Sequence, residues 1–413
     1  MNQYLSELTG RSRAAFKTLR STSTRERNAA LTAMADRLVG GTEEILAANA
    51  TDVQAAEGSI TKALLDRLTL NEDRIRGMAQ GILDIRDLPD PIGQVLRGNR
   101  LKNGMKVEQV REPLGTIAMI YEARPNVTAD AAALSVKSAN SCILRGGKEA
   151  LHTNKVIADL IREAIKDHIP QDSVLLIEDT DHALVDELLQ ARGMVDLVIP
   201  RGSARLINKV VSDARVPVIE TGAGICTAYV APSANLEDAL HIIINAKTQR
   251  PSVCNALENL LVHASVAEAF MPGLHEALTA KNTELRGDAR IVELTGCSTA
   301  EPEDFDTEYL DYILSAKTVA STEEAIDFIN EHGTHHSDVI LTEDYREANQ
   351  FLGDVDSACV YVNASTRFSD GAEFGYGAEI GISTQKMHAR GPFGLNELTT
   401  TKYQITGEGQ IRE

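Results

Sequence analysis

The chain has few cysteines, few basic residues and no long apolar segment. Its five cysteines, among 413 residues, include no CxxC pair, which disfavours a disulfide framework and a structural zinc knuckle. Against 60 acidic residues stand 41 lysines and arginines, and the resulting net charge of −19 repels nucleic acid and anionic lipid. No apolar run approaches the roughly 20 residues of a membrane span, and the amino terminus lacks a signal-peptide core. We therefore expect a soluble, cytoplasmic protein without nucleic-acid or membrane partners.

What is present is the composition of a globular protein, 43% hydrophobic and 24% charged. At about 150 residues per domain, the length predicts two or three domains. The first ninety residues carry helical patterns, with Ser23 and Glu26 as a capping box and Asn71 as a second cap. From Thr116 onward, short β-rich runs alternate with helical stretches, and the alternation starts again after Cys226. This pattern predicts two α/β domains with parallel sheets.

Both predicted sheets have strands that can be located in the sequence. The strands of the first sheet are 116–121, 141–144, 173–177, 195–199 and 216–219. Those of the second sheet are 226–230, 260–263, 312–314, 339–341 and 359–362. Parallel sheets of this kind bind ligands at the carboxyl ends of their strands. A separate hairpin-like excursion is predicted at 98–113, which has turn signals and β-type residues.

Cys254 lies in a polar setting, after a predicted helix at 236–247 and between Arg250 and Asn255. A nearby arginine, and the start of a following helix, would both favour a thiolate and hence a nucleophile. The alternative is a packing cysteine, since cysteine is among the most buried residue types. The other four cysteines have apolar or ordinary neighbours and are interpreted as packing residues.

Other polar residues follow predicted strands. Glu220 ends one strand before glycine-rich sequence, and either points into a cleft or is a solvated loop residue. Two turns, 145–148 and 200–203, combine glycine with arginine or lysine between a strand and a helix, which suits a phosphate. Each turn is weak evidence alone, and neither is GxGxxG. The histidines of HGTHHSD at 332–338 lack metal-ligand spacing, so we interpret that segment as a solvated loop and expect no metal.

Several segments resemble a known family. They are EPLGTIAMIYEARPNVT, LRGGKEALHTN, VPVIETGAG, NAKTQRPSVCNALENLLVH, HHSDVILTED and FGYGAEIGISTQKMHARGPFGLNELTTTKY. In order from about Glu112 to Lys402, they are similar to the aldehyde dehydrogenase superfamily, in particular to its branch that reduces glutamyl phosphate. The resemblance implies two parallel-sheet α/β domains and a small β oligomerisation element. The implied cofactor domain is 1–97 and 114–222, with a return at about 363–390. The implied catalytic domain is 223–362, and 98–113 with 391–413 forms the oligomerisation element.

The resemblance also implies catalytic residues. Cys254 would be the nucleophile, and Glu220 precedes it by 34 residues, a spacing similar to that of the superfamily's glutamate and cysteine. Many relatives have Trp-Asn-Phe-Pro where this chain has Glu-Ala-Arg-Pro at 122–125, so a side-chain amide of the oxyanion hole is missing. We expect the Cys254 amide and Asn255 to replace it. Arg124 and Arg250 are candidates for binding the leaving phosphate or the substrate carboxylate.

For the cofactor, the resemblance places Gly202 and Ser203 at the pyrophosphate, Arg145 at the adenosine ribose and Glu308 at the nicotinamide ribose. The sequence around Glu308 departs from the usual pattern. We expect Arg145 and Lys148 to bind a 2′-phosphate, with no acidic residue there to bind a free 2′-hydroxyl, and therefore a preference for NADPH over NADH.

The activity implied is the NADPH-dependent reduction of L-glutamyl 5-phosphate to L-glutamate 5-semialdehyde through a Cys254 thioester, a step of proline biosynthesis. The alternative within the fold is a hydrolytic aldehyde dehydrogenase acting on another small semialdehyde. A cysteine hydrolase or acyltransferase without a nicotinamide cofactor is disfavoured by the paired glycine-containing turns. We expect a homo-oligomer, a dimer or a tetramer, and association with glutamate 5-kinase is a further hypothesis.

Overall fold

The computed structural model describes residues 2–412, with the side chains of residues 62 and 63 left aside. The chain forms two compact units. The first comprises Met1–Glu220, Tyr376–Gly381 and Phe393–Glu413, and the second comprises Thr221–Gly375 and Ile382–Pro392. The first unit therefore contains both predicted glycine-containing turns, and the second contains Cys254.

Helices dominate the amino-terminal part of the first unit, as the sequence predicts. These helices are α1 (Gln3–Leu19), α2 (Thr24–Gly40), α3 (Thr42–Ala56), α4 (Lys62–Leu68) and α5 (Glu72–Asp87). Four more helices of the unit alternate with its strands, namely α6 (Pro125–Lys137), α7 (Leu151–Ile165), α8 (His182–Leu189) and α9 (Ala204–Asp213). The capping box at Ser23 and Glu26 is present, with the Ser23 amide donating to the Glu26 carboxylate at 2.7 Å. The Asn71 side chain accepts from the Arg74 amide at 2.8 Å. Both predicted caps are confirmed, because each satisfies a helix amide that has no partner within its helix.

A parallel sheet forms the centre of the first unit. In chain order, the first strands of this unit are β1 (Val95–Arg100), β2 (Lys106–Pro113), β3 (Thr116–Tyr121), β4 (Ser141–Arg145), β5 (Val174–Leu176) and β6 (Leu197–Arg201). The last four strands of that series pair in the order β5-β4-β3-β6, all in parallel. Ala118, Ile143 and Val198 are buried on this sheet beneath α8 and the start of α1. The carboxyl ends of its strands carry the two glycine-containing turns.

The strand predicted at 216–219 is wrong in its extent. Only a single parallel bridge forms there, between Val218 and Val198 of β6. Pro217 has no amide hydrogen, so the segment donates to β6 through Ile219 alone and accepts through the Pro217 carbonyl. The segment nonetheless follows the sheet edge and leads directly to Glu220.

The second unit contains a larger parallel sheet. In chain order, its elements are β7 (Cys226–Val230), α10 (Leu236–Thr248), β8 (Leu257–His263), α11 (Ala264–Ala280), β9 (Glu284–Gly287), α12 (Ala289–Thr295), β10 (Ser298–Thr299), β11 (Ile313–Val319), α13 (Thr322–His332), β12 (Ser337–Leu341), α14 (Tyr345–Asp354) and β13 (Cys359–Val362). The strand order is β10-β9-β11-β8-β7-β12-β13, with parallel pairing throughout. Leu260, Leu314 and Val339 lie in its buried core. The parallel order of both sheets confirms the fold class.

The small antiparallel element is also confirmed. After β14 (Glu379–Ser383) and β15 (Gly391–Gly394), the chain ends its strands with β16 (Thr399–Thr406). β16 pairs antiparallel with the whole of β2, and β1 pairs antiparallel with the other edge of β2. Tyr403 and Ile405 of β16 are exposed.

The return predicted at 363–390 for the cofactor domain does not follow the observed division. Residues 363–375 and 382–390 belong to the second unit, and only 376–381 belong to the first. The reason is visible after β13, where Thr366 and Ser369 are buried and bonded to Asn255 of the second unit.

Candidate active site

Cys254 lies in a turn between α10 and β8, and it is partly exposed. Three of the other cysteines are buried, namely Cys142, Cys226 and Cys359, and burial raises the pKa of the Cys142 thiol to about 12. The helix expected directly after Cys254 does not form. β8 begins instead at Leu257, which confirms the strand predicted at 260–263 but starts it earlier, and all of its residues except His263 are buried. No helix amides are therefore directed at the sulfur from that side.

A glycine loop, residues 221–225, packs against the main chain of Cys254. A Cβ atom at Gly224 would lie 1.5 Å from the Cys254 carbonyl oxygen, so only glycine fits there. The Gly224 amide donates to Glu308 Oε1 at 2.7 Å, and the next amide, Ile225, donates to Thr334 Oγ1 at 2.9 Å. The loop that follows Glu220 is thus held against the cysteine turn.

A buried ion pair closes the base of the cysteine turn. Lys247 Nζ, near the end of α10, lies 2.5 Å from Glu258 Oε2 at the start of β8, and both side chains are fully buried. Glu258 also accepts from the Leu310 amide at 3.1 Å. Burial raises the pKa of Glu258 to about 7 despite the opposing effect of Lys247, and burial lowers the pKa of Lys247. The sequence analysis missed this pair, although the two residues flank the cysteine segment.

Asn255 has a different task from the oxyanion role expected of it. Its side-chain amide is buried and donates both hydrogens to main-chain carbonyls, those of Ser369 at 3.0 Å and Arg367 at 3.3 Å. Thr366 Oγ1 donates to the Asn255 carbonyl at 2.8 Å. Asn255 therefore fastens the segment after β13 to the cysteine turn.

Arg367 is a functional candidate that the sequence analysis missed. Its Nε donates to Gln249 Oε1 at 2.8 Å, on the turn that carries Cys254. Burial lowers the pKa of Arg367, the positive charge of Arg250 lowers it further, and Cys254 raises it. The signal that could have identified it is its position after the carboxyl end of a strand in the same parallel sheet.

The histidine segment is not the solvated loop that we expected. His336 is buried, and its Nδ1 lies 2.9 Å from Ser337 Oγ and 3.7 Å from Cys226 Sγ. His332 pairs with Asp306 at 2.8 Å. Across residues 2–412, no three His, Cys, Asp or Glu side chains are arranged to hold a metal ion.

In the first unit, a cavity of about 570 Å³ lies at the carboxyl ends of the strands. It is lined by Ile120, Tyr121, Glu122, Arg145, Gly147, Lys148, Glu149, Thr180, His182, Val185, Arg205, Leu206 and Lys209. Both predicted cations are among these residues, together with two on α9 that the sequence analysis did not single out. The expectation that no acidic residue is placed there is wrong, since Glu122 and Glu149 line the same cavity.

Arg145 is held rigidly in that cavity. It is 6% exposed and donates to the carbonyls of Gly146 at 2.6 Å and Thr180 at 3.0 Å. Its Nε is buried without a hydrogen-bond partner among the described residues, and burial lowers the pKa of the guanidinium. Lys148, by contrast, is exposed and starts the turn before α7. A buried donor without a protein partner fits a polar ligand at this position.

The second glycine-containing turn leads into α9. Ser203 caps this helix, and both its amide and its hydroxyl donate to the Glu122 carboxylate, at 2.8 and 2.7 Å. A Cβ atom at Gly202 would lie 2.7 Å from that carboxylate. An anionic group thus already sits at the helix start, where amides and the helix dipole favour negative charge.

The remaining predicted residues are placed as follows. Arg124 caps α6 in the first unit, and Glu220 is the last residue before the chain enters the second unit. Glu308 lies in the second unit, where its carboxylate accepts from the Gly224 amide, whereas the other four predicted cofactor residues lie in the first unit. Arg250 is exposed on the cysteine turn.

Among the described helices, none combines the length and apolarity that a membrane crossing requires.

Comparison with known proteins identifies the class. Residues 5–290 match the aldehyde dehydrogenase family. The chain is 51% identical over 404 residues to the gamma-glutamyl phosphate reductase of Ligilactobacillus salivarius, covering 97% of each chain. It is 51% identical over 415 residues to that of Clostridium novyi, covering all of both chains. The crystal structure of gamma-glutamyl phosphate reductase from Thermotoga maritima matches with a TM-score of 0.97 and 47% identity, over 99% of this chain and 100% of the other.

The fold is therefore that of an oxidoreductase family whose members use a nicotinamide cofactor. The chain belongs to the aldehyde dehydrogenase family and, within it, to the gamma-glutamyl phosphate reductases.

Proposed function

We propose that the protein catalyses the NADPH-dependent reduction of L-glutamyl 5-phosphate to L-glutamate 5-semialdehyde, with release of phosphate. The observation that carries this proposal is the full-length similarity to enzymes named for that substrate. In this chain the partly exposed Cys254 lies on a turn flanked by the buried Lys247–Glu258 ion pair. Its product would serve the biosynthesis of proline. The substrate is a small molecule, and self-association through the exposed β1-β2-β16 sheet and association with glutamate 5-kinase are further parts of the proposal.

The first chemical step belongs to Cys254. Its thiolate attacks the acyl carbon, a carbon–sulfur bond forms, and the carbon–oxygen bond to phosphate breaks with its electron pair leaving on phosphate. Splitting the reduction through this thioester replaces one difficult displacement by two easier steps. The close packing of Gly224 and the Lys247–Glu258 ion pair fix the main chain around the sulfur. Such preorganisation allows attack without further rearrangement of the loop.

The residues of the first unit fit a dinucleotide. Arg145 offers a buried Nε without a protein partner, and the Ser203 amide and hydroxyl already bind one anionic group, the Glu122 carboxylate beside Gly202, which a diphosphate would displace. Lys148 supplies an exposed cation for a 2′-phosphate, which supports NADPH over NADH. When bound, NADPH supplies the hydride that reduces the thioester. Glu308 remains our candidate for the nicotinamide ribose, although its carboxylate is bonded to Gly224.

The alternative is a hydrolytic aldehyde dehydrogenase that acts on another small semialdehyde. It would need a base that activates water, and Glu220 is the candidate because it directly precedes the loop that packs on Cys254. In the reductase, Glu220 would instead orient or protonate groups, and phosphate would be the acceptor in the reverse direction. We propose Arg124 and Arg250 as the cations that favour phosphate.

Oxidation of the semialdehyde by NADP⁺, followed at the nicotinamide absorbance, tests the choice. We expect oxidation to require phosphate, with arsenate able to replace it. Arg124→Ala should weaken this dependence, and Glu220→Gln should be milder than Cys254→Ala. An equal rate of NADPH production in buffer free of phosphate and arsenate would establish the hydrolytic enzyme instead.

A further inference from the structure

The segment after β13 is joined to the residue next to Cys254 by main-chain atoms. Asn255 donates to the carbonyls of Arg367 and Ser369, and Thr366 donates back to the Asn255 carbonyl. These bonds use the backbone of Arg367, not its side chain. The position of residue 367 beside the cysteine turn is thus fixed independently of what its side chain does.

The guanidinium of Arg367 is directed onto the same turn. Its Nε donates to Gln249 Oε1 at 2.8 Å, which leaves the outer edge of the guanidinium for another acceptor. Arg250 is the next residue along the turn and lies close enough to repel Arg367 electrostatically. Arg367 is thus within electrostatic reach of both Arg250 and the partly exposed Cys254. A dianion that binds between two such arginines offsets the electrostatic repulsion between their guanidinium groups.

We propose that Arg367 and Arg250 together form the subsite for the phosphoryl group that Cys254 displaces. The inference rests on the proposed function, and it names Arg367 as a residue that touches substrate. A guanidinium matches phosphate oxygens with two parallel hydrogen bonds, whereas a lysine offers only a point charge. The phosphoryl group is attached through oxygen to the carbon under attack, so its cations must stand beside the sulfur. The α-carboxylate lies at the far end of the substrate's carbon chain.

The role in the reaction follows from the charge that develops. As the thiolate bonds to the acyl carbon, the carbon–oxygen bond breaks and its electron pair stays on phosphate. The phosphoryl group gains one negative charge as it leaves, and Arg367 and Arg250 stabilise this charge until a proton from water converts the group to hydrogenphosphate. In the reverse direction the same pair holds phosphate for attack on the thioester carbon, and the thiolate leaves.

The test uses Arg367→Met and Arg250→Met, with Arg290→Met as matched control because Arg290 pairs with Glu293 on an exposed helix face. Inorganic phosphate is the probe. Without cofactor, it should slow the alkylation of Cys254 by iodoacetamide in the wild type and in the control. In semialdehyde oxidation, the KM for phosphate should rise about tenfold or more in each test variant, with the KM for NADP⁺ unchanged. Arg367→Lys should recover only part of the loss.

The outcomes separate this inference from the proposed function. If wild-type oxidation needs no phosphate, the proposed function fails. If wild-type oxidation needs phosphate and Arg367→Met keeps the wild-type KM for phosphate and the same protection of Cys254, the subsite assignment is overturned. A rise confined to the KM for the semialdehyde would assign Arg367 to the carboxylate and would also overturn it. An increase seen only in Arg124→Ala would move the subsite to Arg124.

Discussion

The cofactor cavity and the cysteine turn are built in different ways. Arg145 with Lys148, which line the cavity, and Gly202 with Ser203, which directly precede its α9 residues, each lie on one short strand–turn–helix connection. The cysteine turn instead depends on partners that are distant in sequence, since Glu308 and Arg367 reach it from other connections of the sheet. Local sequence is therefore sufficient to nominate the residues of these two turns, although not the α9 cations or the two glutamates of the cavity. The cysteine turn shows its supporting residues only when the strand order brings them together.

The energetics of the two regions differ as well. The cavity is lined by charged groups of both signs, and part of them are exposed, so single changes there should alter ligand choice more than folding. The cysteine turn is closed by an ion pair with no exposed surface. Removing one partner of such a pair leaves an uncompensated charge in the core. The following predictions test this contrast between a tolerant cavity and an intolerant turn.

The largest effect is expected from Cys254→Ala. Turnover should fall by about 1,000-fold or more, because no other thiol can form the acyl-enzyme on this turn. NADPH binding should be unchanged, because the cavity belongs to the first unit. Steady-state kinetics and nicotinamide fluorescence titration measure the two quantities. Cys297→Ala, at a partly exposed thiol away from the turn, is the control and should keep wild-type activity. A variant that loses cofactor binding together with turnover would contradict the separation.

Lys247→Met should lower the free energy of unfolding by about 3–5 kcal/mol, because it strands the Glu258 carboxylate in the core. Lys155→Met, whose ion pair with Glu178 is half exposed, should change it by less than about 1 kcal/mol. Urea denaturation of both variants gives the comparison. Replacing both partners with Lys247→Met and Glu258→Leu should restore most of the stability. A loss below 1 kcal/mol in Lys247→Met would show that the turn does not depend on this pair.

The same variant has a defined pH dependence. Without Lys247, the pKa of Glu258 rises further above about 7, while the unfolded chain titrates near its ordinary value of 4.5. Between these two values the folded state binds the additional proton, so its stability falls as the pH rises. The destabilisation of Lys247→Met should therefore be small below pH 4.5 and larger at pH 8. An equal loss at both pH values would assign it to packing rather than to charge.

The smallest effect is expected in the cavity. Lys148→Ala should reduce the preference for NADPH over NADH by about tenfold, the value of one charge-assisted hydrogen bond, and leave the melting temperature unchanged. Lys155→Ala, outside the cavity lining, should keep the wild-type preference. The ratio of kcat/KM for the two cofactors measures it. If the wild type uses both cofactors equally well, Lys148 has no such role, and the acidic residues Glu122 and Glu149 decide the specificity.

Short-range chemistry in the sequence was sufficient for many of these features. Helix caps at Ser23 and Asn71, the parallel strands, and the glycine-containing turns all depend on residues within a few positions of one another. The β1-β2 hairpin was also predictable, because turn signals and β-type residues occur together at 98–113, whereas the addition of the carboxyl-terminal strand was implied only by the family resemblance. The strand at 216–219 was overestimated because one proline outweighs the surrounding valines and isoleucines.

Tertiary structure alone decided how Cys254 is supported. The residues directly after it were interpreted as the start of a helix before the strand at 260–263, but the strand already begins at Leu257, and burial outweighs local propensity. The buried partners of that turn, Glu258 for Lys247 and the 366–369 segment for Asn255, are chosen by which strands lie side by side. Strand order carries no local signature, because any parallel strand presents the same apolar pattern. A candidate nucleophile can therefore be nominated from its own neighbours in sequence, whereas the residues that fix its position and place charge near it are decided only when the chain folds.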